Sequence, residues 1–263
     1  LYDDHEYLEV TLAGVIDQLD HVLLLMSDVP WNGQPGDNSE TIRQVEAFVS
    51  KYPKCEFRHG HWTNEWDQRN YGLAVSSELG LDYSFVLDSD EIYASQDFAR
   101  IREFILQHQQ FAAFHIEWNT YWTKDYYRIE PREGYRPLIC VKTNNFFFTV
   151  IRGGTTAVQR NGARTWVSGE GYNGTLIPPQ VAICYHLSYA RDDAYMRRKL
   201  ETNSHAKEFL ADWYERVWRA WTPEMTNLHP VTPAQYQRAV EEDLSTLPQQ
   251  LQQLIAAERR HKS

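Results

Sequence analysis

Cysteine is scarce in this chain. Cys55, Cys140 and Cys184 are odd in number, far apart and without a Cys-x-x-Cys spacing. That excludes a disulfide framework and a zinc knuckle, and it predicts a reducing, cytoplasmic setting. Long apolar runs are missing as well. None exceeds the five residues Val22–Met26, against roughly 20 needed to span a bilayer, so no transmembrane segment is expected. No basic stretch leads into an apolar one near the start, so no signal peptide is expected. Positive charge is in deficit: 26 Lys and Arg face 36 Asp and Glu, a net charge of −10. Such a surface is a poor partner for DNA or RNA, whose affinity comes mainly from cations on phosphates. A small anionic ligand stays compatible, because a bound divalent cation inverts the local field.

Aromatic residues are abundant: 9 Trp, 16 Tyr and 11 Phe make 14% of 263 residues. Rings of this kind build cores and also offer faces to sugars and nucleobases. The patterning predicts a helix over 8–19, a buried strand over 21–26, and a helix in which Ile42, Val45, Phe48 and Val49 share a face. A helix capped by Thr63 or Asn64 runs to Gly80, a C′ glycine. A second buried strand covers 83–87, a helix carries Phe98, Ile101 and Ile105, and a third strand covers 111–116. This alternation predicts a doubly wound, mostly parallel sheet flanked by helices, with ligands at the carboxyl ends of its strands. From about residue 118 turns and aromatics mix, with strands expected over 138–142, 146–151 and 181–186. Helices are expected over 193–221 and 233–259, a C-terminal helical extension.

Asp88-Ser89-Asp90-Glu91 follows the second buried strand. Carboxylates at i and i+2 point the same way on extended backbone and repel unless they share a cation. Oxygen ligands of this type suit Mn²⁺ or Mg²⁺. The strand end is therefore expected to face solvent or ligand. Glu91 points the other way and is the weaker candidate. His186, after the strand that ends near 186, is a third metal-ligand candidate, because imidazole nitrogen favours Mn²⁺ among the common ions. An Asp-x-Asp tripeptide alone is common, and a solvated acidic turn accounts for it equally well.

Two further segments narrow the reading. Arg69-Asn70-Tyr71-Gly72-Leu73 precedes Phe85-Val86-Leu87-Asp88-Ser89-Asp90-Glu91 by about a dozen residues, and His186-Leu187-Ser188-Tyr189 comes late. Together they resemble family 2 glycosyltransferases with the GT-A fold. Tyr2-Asp3-Asp4-His5-Glu6 is similar to the segment that follows that family's first strand, which here would precede Leu1. The resemblance covers about residues 2–200. It implies a GT-A domain over 1–190, with a donor half over 1–117 and an acceptor half over 118–190, followed by the extension over 191–263.

The function implied is metal-dependent, inverting transfer of a sugar from a nucleotide-diphospho-sugar to a carbohydrate or glycoconjugate acceptor. Bacterial polysaccharide assembly is the expected context, in the cytoplasm or peripheral to the inner membrane face. Asp90, Asp88 and His186 would hold the metal. Arg69, Asp88, Ser89 and Asp28 would contact the donor. Arg69 at i+4 from Glu65 equally suits a helix-surface ion pair, and Asp28 before Pro30 suits a turn cap. Glu170, between Gly169 and Gly171, is the first choice for the general base, and Glu117 the second. Trp118, Trp122 and Trp166 would line the acceptor cleft, although core packing is the plainer reading of any one of them. Arg197-Arg198-Lys199 reads as a solvated helix face, with contact to an anionic donor or membrane lipid as the alternative, and the C-terminal helices read as a cap or the surface of a homo-oligomer. Two alternatives stay open: a related nucleotidyltransferase, for which no glycine-rich basic loop is visible, and a non-catalytic carbohydrate-binding protein.

Overall fold

The computed structural model describes residues 1–124 and 126–262. The chain begins alongside its first strand. Leu1 donates its amino group to the Leu25 carbonyl (2.6 Å) and accepts from the Ser27 amide (3.0 Å), the parallel pattern. Helix α1 (Leu8–Ala13) is short, and a 3₁₀ turn over Ile16–Gln18 replaces the rest of the expected 8–19 helix. Strand β1 (Val22–Ser27) and helix α2 (Ser39–Lys51) follow, then strand β2 (Cys55–Gly60), which pairs parallel with β1.

Helix α3 (Glu65–Glu78) begins where Asn64 Oδ1 accepts from the Asp67 amide (2.9 Å). It ends in a Schellman motif: the Leu81 amide reaches the Ser76 carbonyl (2.9 Å) and the Gly80 amide reaches Ser77 (3.0 Å). Gly80 has φ +71°, the left-handed conformation that favours glycine at this place.

Strand β3 (Tyr83–Phe85) is three residues long, and the acidic stretch links it to β4 (Glu91–Ile92). Helix α4 (Ser95–Gln107) buries Phe98, Ile101 and Ile105. Five strands follow in succession: β5 (Ala113–His115), β6 (Trp118–Trp122), β7 (Tyr127–Glu130), β8 (Leu138–Lys142) and β9 (Phe146–Val150). Then come β10 (Gly153–Arg160), β11 (Ala163–Val167), β12 (Gly174–Leu176) and β13 (Cys184–Tyr189). Helix α5 (Asp193–Thr202), strand β14 (Arg238–Val240) and helix α6 (Gln249–Lys262) complete the described chain.

The expectation of a mostly parallel, Rossmann-like GT-A sheet is overturned. The strands form four small sheets: β1-β2, β11-β10-β9, β12-β5-β8-β3 and β14-β7-β6-β13-β4. Among the described residues only β1·β2, β5·β12 and β6·β13 are parallel, and the other pairings are antiparallel. The physical reason lies in β8. Its apolar Leu138-Ile139-Cys140-Val141 is buried on both faces, and it inserts antiparallel between β3 and β5. Hydrophobic rhythm marks a strand as buried, but it carries no information on the partner or direction of that strand.

The helical extension is corrected too. Helix α5 stops at Thr202, Tyr214–Arg219 is a single π-helical turn, and the segment after Pro233 forms β14 against β7 before Pro248 leads into α6. Four buried clusters hold the elements. The largest joins β1, α2 and α4, through Leu24, Met26, Phe48 and Ile101 among others. Another surrounds Trp122 with Trp213, Trp218 and Leu228. Among the described residues no helix is long and apolar enough to cross a membrane.

Candidate functional site

The acidic stretch is the link by which the chain leaves one sheet for another. Strand β3 belongs to the four-stranded sheet and β4 to the five-stranded one. Strand β13 pairs antiparallel with β4, setting His186 opposite Glu91, and the Leu187 amide donates to the Asp90 carbonyl (2.8 Å). Backbone pairing thus brings His186 to Asp90 although they are distant in sequence. A cavity of about 1040 Å³ opens over this junction and is lined by Arg69, Asp88, Asp90, Arg152, His186 and Lys199, among others.

Asp88 and Asp90 have different surroundings. Asp88 keeps 43% of its side chain open to the cavity, with Arg69 Nη2 on Oδ1 and Arg152 Nη2 on Oδ2, each at 3.1 Å. Enclosure alone raises its pKa, but the two guanidiniums outweigh that and hold the carboxyl below its usual range. Asp90 is 4% exposed. Its Oδ2 takes Lys199 Nζ (2.9 Å) and Arg191 Nη2 (3.3 Å), and its Oδ1 faces His186 Nε2 at 3.8 Å. Burial opposes its charge, and Lys199, His186 and Arg191 hold it far below the carboxylate range.

Glu91 is fully buried. Oε2 accepts from the Asp88 amide (3.3 Å) and Oε1 lies 2.6 Å from Arg152. Burial pushes it up to about 8 despite Arg152. Ser89 donates to Asp4 Oδ2 (2.6 Å), and Arg191 ties Asp90 to Asp4 and Glu6, so the segment after Leu1 is bound into the same network.

His186 stacks on Trp118 with centroids 4.0 Å apart, and burial lowers its pKa to about 4, so the ring is neutral. Nδ1 lies 3.4 Å from Thr120 Oγ1, whose hydroxyl donates to Glu133 Oε1 (2.8 Å). In the tautomer protonated at Nδ1, the Thr120 oxygen accepts that proton and the Nε2 lone pair turns toward the Asp90 oxygen. A lone pair facing a carboxylate with no proton between them suits a divalent cation, with Asp90 and His186 as its protein donors. Asp88 has an arginine on each oxygen, whereas the two cations on Asp90 both sit at Oδ2. Among the described residues no group of three or more His, Cys, Asp or Glu side chains is arranged to hold a metal.

The other anticipated residues scatter. Arg69 makes the Glu65 ion pair, buried rather than on the helix surface, and also reaches Asp88 at the cavity. Asp28 is exposed at the end of β1 beside His59 and is not among the cavity-lining residues. Glu117 is held by Arg132 and Arg136. Glu170 is exposed in the turn after β11, away from the cavity lining. Trp122 is fully buried against Trp213 and Trp218. Trp166 lies on the outer face of β11, 45% exposed and outside the cavity lining. Trp118 does line the cavity, but its ring is covered by His186 and by Arg152, 5.6 Å from the centroid.

Several residues at the site were not anticipated. Arg152 comes from the β9–β10 turn, Arg191 from beyond β13, Tyr135 from the cavity wall, and Glu133 from the β7–β8 connection. Lys199 turns inward from α5, whereas Arg197 on the same helix stays half-exposed. Glu133 is hydrogen-bonded by Thr120 and Tyr236, and burial raises its pKa. A lone cation before Gly153-Gly154 was the only sequence sign of Arg152. No protein-family model matches this chain, and no curated protein sequence matches it.

Proposed function

We propose that the cavity binds a nucleotide-diphospho-sugar and transfers its sugar to a hydroxyl of a carbohydrate or glycoconjugate acceptor. One arrangement supports the reading: Asp90 and His186 face each other at a cavity that also holds Arg69, Arg152 and Lys199. Cationic side chains there suit a diphosphate. Asp90 and His186 would hold Mn²⁺ or Mg²⁺, which when bound neutralises the charge on the leaving diphosphate. Tyr135, exposed on the cavity wall, offers a ring to the sugar.

The transfer needs a base to take the acceptor proton. Glu133 fills that role better than Glu170 or Glu117, because it lines the cavity and is not paired with a cation. Hydrogen bonds from Thr120 and Tyr236 hold its carboxyl at the cavity. Burial raises its proton affinity toward that of a working base. The reading places the protein in the cytoplasm, where the buried thiols of Cys55, Cys140 and Cys184 stay reduced.

Thermal-shift measurements with UDP, GDP, CMP and dTDP, each with Mn²⁺, test it. One nucleotide is expected to raise the melting temperature in a metal-dependent way. The absence of a shift with all four, together with binding of a free oligosaccharide, would turn the assignment to a carbohydrate-binding protein.

A further inference from the structure

Arg69 and Arg152 approach Asp88 from opposite elements. Arg69 projects from α3 onto Oδ1, and Arg152 from the β9–β10 turn onto Oδ2. Their side chains are 8% and 2% exposed. Burying a guanidinium with unmet donors costs free energy, yet both retain such donors. Among the described residues, Arg69 Nη1 and Arg152 Nε and Nη2 make no aligned hydrogen bond. Arg152 Nη2 nonetheless lies 3.1 Å from Asp88 and 2.6 Å from Glu91, so the donors left over are Arg69 Nη1 and Arg152 Nε.

Both planes are backed by aromatic rings. Arg69 lies 5.9 Å from the Phe148 centroid and Arg152 lies 5.6 Å from that of Trp118. The two arms are also fastened to each other. Asn70, next to Arg69, donates to the Phe148 carbonyl and accepts from the Phe148 amide, each at 2.9 Å, which pins β9 to α3. Arg152 itself has φ +45°, a left-handed conformation costly for a residue with a Cβ. The β-ladder shifts register at the adjoining Gly153 and Gly154. A strained residue held at a cavity, with spare donors, is a place where structure is spent on binding.

We propose that Arg69 and Arg152 form a two-armed phosphate clamp, with Asp88 as the resting counterion that orients both arms until a diphosphate takes its place. The clamp rests on reading this cavity as the donor site. It assigns Asp88 to the arginines and leaves Asp90 and His186 as the metal donors. The clamp recognises the diphosphate alone, whatever base or sugar is attached.

The test uses the full chain and inorganic pyrophosphate, titrated calorimetrically with and without Mg²⁺. Arg152→Gln and Arg69→Gln are each expected to weaken pyrophosphate about 10–100-fold, the usual span for one charge-assisted hydrogen-bonding group. Arg152→Lys, which keeps the charge but not the fork, is expected to lose about 10-fold. Should the Gln variants fail to melt cooperatively, the Lys variant and Asp88→Asn decide. Removing the competing carboxylate is expected to tighten pyrophosphate in the absence of metal. If Asp88→Asn instead weakens only the Mg²⁺-dependent binding, Asp88 is a metal ligand and the clamp is wrong. Unchanged affinity in the arginine variants, or no binding to the wild type, also overturns it. If pyrophosphate binds through both arginines while no nucleoside diphosphate or sugar nucleotide binds, the clamp stands and the glycosyltransferase reading falls.

Discussion

Glu133 and Glu91 are carboxyls that burial pushes toward neutrality, for different ends. Glu133 opens on the cavity and suits proton transfer. Glu133→Gln is expected to keep nucleotide affinity while lowering kcat about 10²–10⁴-fold, the usual share of a general base. Sugar-transfer kinetics with a responsive acceptor check this, and a normal kcat would remove Glu133 from the mechanism. Glu91 is sealed in the fold, where its signature is the pH dependence of stability. Its carboxyl rises from 4.5 to about 8 on folding, so the stability it contributes is full below 4.5 and lost as pH climbs toward 8. His186 acts the other way. Its pKa falls from 6.5 to about 4, so its contribution is present above 6.5 and lost as pH drops toward 4. The two slopes oppose each other between 4.5 and 6.5, and from about 6 to 8 the Glu91 slope is opposed by that of the buried Leu1 amino group, lowered from 8.0 to about 6. The urea midpoint of Glu91→Gln is therefore expected to rise relative to that of the wild type as pH climbs from 6.5 to 8. An unaltered slope in the variant would place the titrating group elsewhere.

Among the elements, the α3–β9 contact matters most for the site. Asn70 satisfies both backbone groups of the buried Phe148, a job no apolar side chain can do. Asn70→Ala leaves an amide and a carbonyl unmet, a loss of about 1–3 kcal/mol. It should lower the unfolding free energy by that amount and, by loosening the hairpin that carries Arg152, weaken pyrophosphate as well. A full-strength pyrophosphate signal in a destabilised Asn70→Ala would mean that the hairpin finds its position without this tie. The Arg69-Asn70 pair was legible in the sequence, but its division of labour was not. Arg69 faces the cavity and Asn70 faces a hairpin that lies almost 80 positions away, since 148 − 70 = 78.

At the scale of the whole molecule, residues beyond 190 are tied to those before it. Beyond it, β14 extends the five-stranded sheet, Trp213 and Trp218 enclose Trp122, and Arg191 and Lys199 neutralise Asp90. A fragment of residues 1–190 would expose that tryptophan and leave a buried carboxylate without its two cations, and stripping one partner from a buried ion pair alone costs about 3–5 kcal/mol. The fragment is expected to bind a hydrophobic dye and to show no cooperative melting transition by circular dichroism. A sharp transition equal to that of the full chain would restore the two-part division.

The sequence by itself determined the local features of this protein. Helices α2, α3 and α4, the buried strand β1, the Gly80 stop and the acidic stretch all follow from periodicity, capping and turn chemistry within a few residues of each. His186 was also legible as a partner for Asp90, because both follow apolar runs. Tertiary structure alone decided the rest. Strand direction and partner depend on distant segments, so β8 could turn an expected parallel sheet into mixed ones. A buried cation needs an equally buried acid, so Arg152, Arg191 and Lys199, which look like solvated charges one at a time, became the counter-charges of Asp88 and Asp90 only when the chain closed around them.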